Sequence, residues 1–241
     1  MDQIKPYKKD FDYSYTLGAF PTIEMIKNCP EFAEEVLITP NLEDRKTIED
    51  ICKEYKVPVR EAGKTVEKLS DKENVYIVGL FRKFEKKLAS DKPHIVLVNP
   101  GNMGNLGTIL RTAVGFGIKD IAIIRPGADI FNPKAVRASM GALFHMNFKY
   151  YDTFEDYMKE YPSHRIYTFM LDADDTLHSG INREDTPYSL VFGNEATGLP
   201  KEFHDYGTSL IIPQSEDVDS LNVTIAAAVA MFVFTEGRIR E

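Results

Sequence analysis

The chain is 241 residues long, 43% apolar and 27% charged, the composition of a globular protein with room for one large or two modest domains. Its formal charge of −8 and pI near 5.3 argue against a non-specific polyanion binder, whose affinity comes mostly from phosphate contacts. No apolar run reaches membrane-spanning length, the N-terminus MDQIKPYKKDFDYSY lacks the apolar core of a signal peptide, and Cys29 and Cys52 form no CxxC pair. A cytoplasmic protein without a membrane partner, a zinc site or a disulfide framework is therefore expected, with both cysteines as small core residues.

Residues to about Tyr15 read as an extension leading into a first strand. Short elements then alternate. FPTIEMIKN has a helical pattern, EEVLIT that of a strand, and LEDRKTIEDICKEY that of a helix with Ile48, Ile51, Cys52 and Tyr55 on one face. VPVREA predicts a strand, KTVEKLS a short helix and NVYIVGLF a further strand, making an α/β unit of roughly 70 residues without an evident catalytic constellation. The basic run Arg82-Lys83-Phe84-Glu85-Lys86-Lys87 reads as a solvated hinge, and the domain boundary is set after it, at residues 1–90 and 91–241. Up to Ser90 there are 16 Lys/Arg against 17 Asp/Glu, and beyond it 13 against 20, so any steering of a nucleic acid falls largely to the front of the chain.

A second α/β series begins at His94. HIVLV is a continuous apolar run of the kind buried in a central parallel strand, followed by the Gly/Asn-rich loop NPGNMGNLG and the helix TILRTAVGFG. DIAII predicts a strand, NPKAVRASMGALF a helix from Pro133, FKYY a strand, TFEDYMKEY a helix and RIYTFML a strand. The polar segment DADDTLHSGINREDTPY, its DADD loop expected in solvent, leads to the strand-and-turn SLVFGNEATGLP, then the helix KEFHDY and the strand TSLIIP. The final helix, after Asn222, is almost entirely Ala, Val, Ile, Met and Phe; apolar on every side and too short to span a membrane, it is expected to be covered on all faces. Alternation of strand and helix implies a mainly parallel sheet with helices on both faces.

Three loops in the second series carry polar groups suited to a site. Gly101, Gly104 and Gly107 have neither the GxGxxG spacing of a dinucleotide fold nor a following GK[ST], and Asp120 comes too early for a ribose contact. With a helix starting near Leu106, Arg111 among apolar neighbours is expected to be a buried or cleft-facing guanidinium, or else a structural one paired to an acid. Glu195 is the only charge in the turn Gly193-Asn194-Glu195-Ala196-Thr197-Gly198 and either accepts bonds from ligand or loop amides or caps the next helix. Ser220 and Asn222 are alternative caps of the closing helix. Arg137 in KAVRASMGALF is a secondary candidate for a phosphate contact, and the five histidines are given no role.

In this order and at these strand ends, NLGTILRTAVGFGI, FGNEATGL and IPQSEDVDSLNVTIAAA resemble the three motifs of the SpoU/TrmH family of SPOUT-class RNA methyltransferases. The resemblance covers His94 to Glu241; the front unit, through LGAFPTIEMI…VYIVGLFRK, is similar to a ribosomal-protein-like α/β domain that helps bind RNA substrate. It implies an α/β trefoil-knotted domain with a parallel sheet, an obligate homodimer, and S-adenosylmethionine held largely by backbone at Gly193, Ile212 and Leu221. The implied reaction is methyl transfer to a ribose 2′-hydroxyl of rRNA or tRNA. A guanidinium scarcely deprotonates, so Arg111 is expected to grip a phosphate and the developing oxyanion rather than act as a base. Asn105 then orients substrate or Arg111, with Asn102 as its rival, and Glu195, Ser220 and Asn222 hold the loops. Departures from the family pattern are Gln214, Ala196 and Glu216, the last placing an anion beside the cofactor or RNA path. The competing expectation is a non-catalytic RNA-binding or ribosome-assembly factor that keeps the fold; a nucleotide-dependent oxidoreductase is disfavoured by the loop spacing.

Overall fold

A computed structural model describes residues 4–70, 74–178 and 186–235. In chain order the elements are β1 (Tyr13–Leu17), α1 (Ala19–Asn28), β2 (Ala33–Ile38), α2 (Arg45–Glu54), β3 (Val59–Glu61), α3 (Gly63–Leu69) and β4 (Ile77–Arg82). They continue as β5 (His94–Val98), α4 (Met103–Gly115), β6 (Asp120–Ile124), α5 (Pro133–Ala138), β7 (Asn147–Tyr151), α6 (Phe154–Glu160), β8 (Arg165–Phe169), β9 (Asp175–Thr176), β10 (Tyr188–Phe192), β11 (Thr208–Ile211) and α7 (Val223–Thr235). Short 3-10 helices occupy Ala142–His145 and Lys201–Tyr206. The KEFHDY segment, read as a helix, is the second of these. The NPKAVRASMGALF helix breaks in two because Met140 and Gly141 take positive φ, 48° and 84°, which no α-helix accommodates.

The chain divides into two compact units, residues 1–84 with 129–145, and 85–128 with 146–241. In the first, the sheet order is β1-β4-β2-β3, with β4 antiparallel to β1 and β2, and β2 parallel to β3. Alternate residues of these strands face a core that includes Tyr15, Leu37, Val66, Val78 and Leu80. On α2, Ile48 and Cys52 are the buried pair, one turn apart, while Ile51 and Tyr55 are half-buried. Residues 129–145, which the sequence pattern assigns to the second series, belong here: Ser14 Oγ donates to Phe131 O at 2.5 Å, and Cys29 Sγ to Phe144 O at 3.3 Å. Phe84, inside the run expected to be a solvated hinge, is buried and stacks on Phe32 with ring centroids 4.7 Å apart. Its aromatic area outweighs the pull of the flanking lysines towards water. Arg137, on α5, lies in this unit and is half-buried.

The second unit is built on a seven-stranded sheet of order β7-β6-β5-β10-β8-β11-β9, parallel at every pairing. The central strands β5, β6 and β10 are buried nearly throughout, which is why they read as unbroken apolar runs rather than alternating ones. Because all strands run the same way, every C-terminal end lies on one edge. From β5 the chain adds β6 and β7 on one side, and β8, β9, β10 and β11 on the other, so the loops after β5 and β10 flank a topological switch point. Of the polar segment 172–188, Asp172, Asp174 and Asp175 are exposed, β9 is a two-residue edge strand, and residues 179–185 lie outside those described.

At the opposite edge, His94, His164, Ser189 and Tyr157 form a buried chain that the sequence did not suggest. His94 Nδ1 is 2.9 Å from Tyr157 OH, which is 2.6 Å from Ser189 Oγ, which is 2.9 Å from His164 Nδ1. His94 Nε2 bonds Ala89 O at 2.8 Å and His164 Nε2 bonds Ser90 O at 3.1 Å. Burial, reinforced by the neighbouring His164, pushes the His94 imidazole down to about 4, and burial likewise lowers His164.

Among the described residues, helix α7 is not covered on all faces. Ala227, Ala230, Met231 and Thr235 are buried, but Ile225 and Phe232 are each 52% exposed, seven residues apart and so on one face.

Candidate active site

The loop after β5 enters α4 three residues earlier than the sequence suggested. Asn102 is the N-cap, its Oδ1 accepting from the amides of Gly104 at 2.8 Å and Asn105 at 3.1 Å. Leu106, Gly107, Ile109, Leu110 and Ala113 form the buried face of the helix, whereas Arg111 is exposed. The expected buried guanidinium is therefore a surface one. It has no ion pair or side-chain hydrogen bond among the described residues, so the structural pairing to an acid is absent there as well. Six residues separate it from Asn105, about 9 Å along the axis and about 120° around it, so the two side chains of this helix diverge.

Asn105 points instead to the turn after β10. Its Nδ2 donates to Glu195 Oε1 at 3.1 Å, the amide of Asn102 donates to the same oxygen at 3.1 Å, and the amide of Gly101 donates to Oε2 at 3.0 Å. Burial works to raise the Glu195 carboxyl, but the bonds from Gly101, Asn105 and Asn102 outweigh it and hold the group below the usual glutamate range. An ionised carboxylate at the start of a 13-residue helix also meets the positive end of its dipole. Of the two expectations for Glu195, acceptance from loop amides is the one observed.

The turn itself is held by backbone. Asn194 N donates to Gly198 O at 3.2 Å and Gly198 N to Asn194 O at 2.9 Å. Asn194 Oδ1 accepts from Ala196 N at 2.9 Å, and its Nδ2 reaches Asn99 O, beyond β5, at 2.7 Å. Gly198 has φ +67°, and a Cβ on Gly193 would lie 2.2 Å from Gly198 C, so the two glycines let the backbone fold on itself. Asn194, which the sequence left unassigned, also joins the turn to the β5 loop, through one bond to Asn99 O. A side-chain amide next to a turn glycine is a signal that could have found it.

The third loop starts as β11 ends. Asn222 caps α7, its Oδ1 accepting from Thr224 N at 2.8 Å; Ser220 makes no cap and lies at the surface. Ser215 Oγ bonds Asp217 Oδ2 at 2.5 Å, and Gln214 Nε2 bonds Asp219 O at 3.3 Å, so the acidic loop is folded against itself. No loop or turn hydrogen bond engages the main chain of Ile212 or Leu221 among the described residues.

These loops enclose an open cavity of about 230 Å³. Gly193, Glu195, Ile212, Ser220 and Leu221 all line it, with Gln214 between them and Phe169, Phe192 and Leu210 on its apolar floor. Asn105 stands behind Glu195 and Asn222 behind Leu221, outside the lining, and Arg111 is not part of it. The second and third loops thus meet in one cavity, and the first is tied to them through Glu195.

A profile described as the SpoU rRNA Methylase family matches residues 92–232. The chain belongs to the SpoU rRNA methylase family. The match begins two residues before β5 and ends within α7, so the SpoU portion contains all three loops. Among curated SpoU-like relatives, the 23S rRNA (guanosine(2553)-2′-O)-methyltransferase of Bacillus subtilis is 27% identical over 153 residues, covering 61% of this chain and 60% of that one. The putative tRNA (cytidine(34)-2′-O)-methyltransferase of the same organism is 28% identical over 144 residues, covering 58% and 89%. The ribosomal RNA small subunit methyltransferase G 2 of Syntrophobacter fumaroxidans is 32% identical over 142 residues, 58% of this chain but only 26% of its own length. The fold extends further than the sequence match. The AdoMet-bound SpoU methyltransferase AviRb of Streptomyces viridochromogenes superposes with a TM-score of 0.81 at 19% identity, covering 95% of this chain and 91% of that one. A putative TrmH-family RNA methyltransferase of Porphyromonas gingivalis gives 0.75 at 26% identity, covering 92% and 89%. No helix among the described residues is long and apolar enough to cross a membrane.

Proposed function

We propose that this protein transfers a methyl group from S-adenosylmethionine to a ribose 2′-hydroxyl of rRNA or tRNA. The observation that carries the reading is the three-bond grip of Glu195 on Gly101, Asn102 and Asn105, which fixes the loop after β5 to a cavity that the other two loops line. The cavity suits the cofactor: an apolar floor for an adenine, a turn pared to bare backbone at Gly193, and a Leu221 main chain without a loop or turn hydrogen bond among the described residues. Gly193, Ile212 and Leu221 would hold it, and when bound it supplies an electrophilic methyl group. The named activity and bound ligand of the relatives support the same assignment.

A ribose hydroxyl is a weak nucleophile until its proton is lost. Arg111 stabilises the alkoxide and the neighbouring phosphate, and its exposed position fits delivery to the cavity of a second copy rather than its own. The apolar face of α7, with Ile225 and Phe232 at the surface, is the candidate contact for that homodimer. Asn105, Glu195, Ser220 and Asn222 position the loops. The family's trefoil knot, a substrate-binding role for the first unit (residues 1–90 as bounded from sequence) and a cytoplasmic location are part of this reading.

Tritium transfer from labelled S-adenosylmethionine to total RNA tests it, and mapping 2′-O-methyl sites lost in cells without the protein names the nucleotide. Cofactor binding with no transfer to any RNA would favour the non-catalytic RNA-binding or assembly factor.

A further inference from the structure

Seven strands end on the C-terminal edge of the second unit's sheet, and apart from the segment after β9, which includes residues outside those described, their loops are residues 99–102, 125–128, 152–153, 170–174, 193–200 and 212–222. Their charges are lopsided. The loops after β8 and β11 carry Asp172, Asp174, Glu216, Asp217 and Asp219, all exposed. Across these six loops the positive charge is one residue, Arg125, at the end of β6. An RNA strand crossing this edge is repelled on the β8–β11 side, whereas on the β6–β7 side Arg125 stands against a single acid, Asp152.

Arg125 is also built to present its charge. Its guanidinium carbon lies 4.9 Å from the centroid of the Tyr150 ring, which fixes the side chain on an aromatic face. Tyr150 is itself anchored, its OH donating to Ala128 O at 2.9 Å. The main chain of Arg125 donates to Tyr151 O at 2.9 Å. Its acidic neighbour, Asp152, is only loosely engaged at 3.6 Å and is 84% exposed, so among the described residues most of the five guanidinium donors have no partner. A chain of backbone contacts sets its place relative to the cavity. Ile124 O accepts from Asn99 N at 3.0 Å, and Asn99 O accepts from Asn194 Nδ2 at 2.7 Å in the turn that lines the cavity. Two strand spacings, roughly 10 Å, separate the ends of β6 and β10, a distance of one or two nucleotides of backbone.

We infer that Arg125, stacked on Tyr150, binds a backbone phosphate of the RNA substrate beside the nucleotide presented to the cavity, and so positions the strand on the β5–β6 side of the site. The inference rests on the methyltransferase reading for the identity of the polyanion. It makes Arg125 a positioning residue, acting on affinity for RNA and not on the chemical step.

The experiment uses the full chain with fragmented ribosomal RNA and total tRNA. RNA binding is followed by fluorescence anisotropy across about 50–200 mM salt, and methyl transfer is measured in parallel. Arg125→Ala is expected to weaken RNA binding several-fold and to lower the slope of log affinity against log salt by about 1, the signature of one lost phosphate contact. Arg125→Glu should raise KM for RNA roughly tenfold or more while kcat and cofactor affinity stay within about twofold. Arg125→Lys keeps most of the binding, and Asp152→Asn, which frees the guanidinium, tightens it. Wild-type affinity and salt slope in Arg125→Glu, with thermal unfolding unchanged, would overturn the inference whatever the methyl-transfer result. Weakened RNA binding in a protein that transfers no methyl would instead remove the catalytic reading and leave Arg125 in place.

Discussion

Glu195 Oε1 accepts a hydrogen bond from Asn105 Nδ2 at 3.1 Å, joining the turn after β10 to the first turn of α4 across 90 residues of chain. The same carboxylate takes two main-chain amides, so one side chain satisfies three donors around the helix start. Replacing it with glutamine removes the charge and turns one acceptor into a donor facing amides. Glu195→Gln is expected to cost about 1–3 kcal/mol, read as a lower melting temperature, and to weaken S-adenosylmethionine binding by calorimetry. Unchanged values of both would mean the clasp is incidental.

Gly193 and Gly198 make separate demands on one turn. A Cβ at Gly193 meets backbone 2.2 Å away, which no side-chain adjustment relieves, so Gly193→Ala should abolish cofactor binding even if the protein folds. At Gly198 a Cβ meets nothing within 4 Å and the obstacle is only φ +67°. Gly198→Ala should cost about 1–2 kcal/mol and Gly198→Asn less, a ranking that chemical denaturation will test.

Arg111 is exposed and unpaired among the described residues, so its removal should be nearly silent for stability, within about 0.5 kcal/mol. Arg111→Ala is expected to keep cofactor binding and to lose turnover by orders of magnitude. If the guanidinium acts in the cavity of a second chain, mixing Arg111→Ala with Gly193→Ala restores part of the activity, because one of the mixed sites is then intact. Near-normal turnover in Arg111→Ala alone ends its catalytic assignment.

Phe232 and Ile225 place apolar area in water on a helix that is otherwise packed. Phe232→Asp is expected to shift sedimentation towards the monomer and to reduce transfer without loss of secondary structure. A wild-type protein that sediments as a monomer at micromolar concentration would exclude the homodimer.

His94 and His164 are neutral in the fold, enclosed by Tyr157, Tyr161, Ser189 and the carbonyls of Ala89 and Ser90, with Asp120 nearby. A histidine lowered from its ordinary value of about 6.5 to about 4 stays unprotonated while the unfolded chain takes up a proton. Stability is therefore full above pH 6.5 and falls as the pH drops through the window from 6.5 to about 4, by up to about 3 kcal/mol for His94. Glu195, whose carboxyl is lowered, adds a loss that begins only below its unfolded value near 4.5. Melting temperature against pH should show the decline in wild type and a shallower one between pH 6.5 and 5 in His94→Gln.

What the sequence determined by itself was the order and type of most elements. Strand and helix order follow from apolar period, so HIVLV and DIAII are buried parallel strands, and LNVTIAAAVAMFVF gives α7, with the choice of Asn222 over Ser220 as its cap left to the structure. Motif residues stand at strand ends because a loop leaving a parallel strand must reach the same edge as its neighbours. What only the tertiary structure decided is which of those residues meet. Packing of the Leu106, Ile109, Leu110 and Ala113 stripe of α4 into the unit leaves Arg111 at the surface. Glu195 finds its donors, His94 finds His164, and residues 129–145 join the first unit through contacts spanning 70 to 117 residues. Such pairings are selected by the packing of whole sheets and by the need to satisfy buried polar groups, and neither is written in any short stretch of chain.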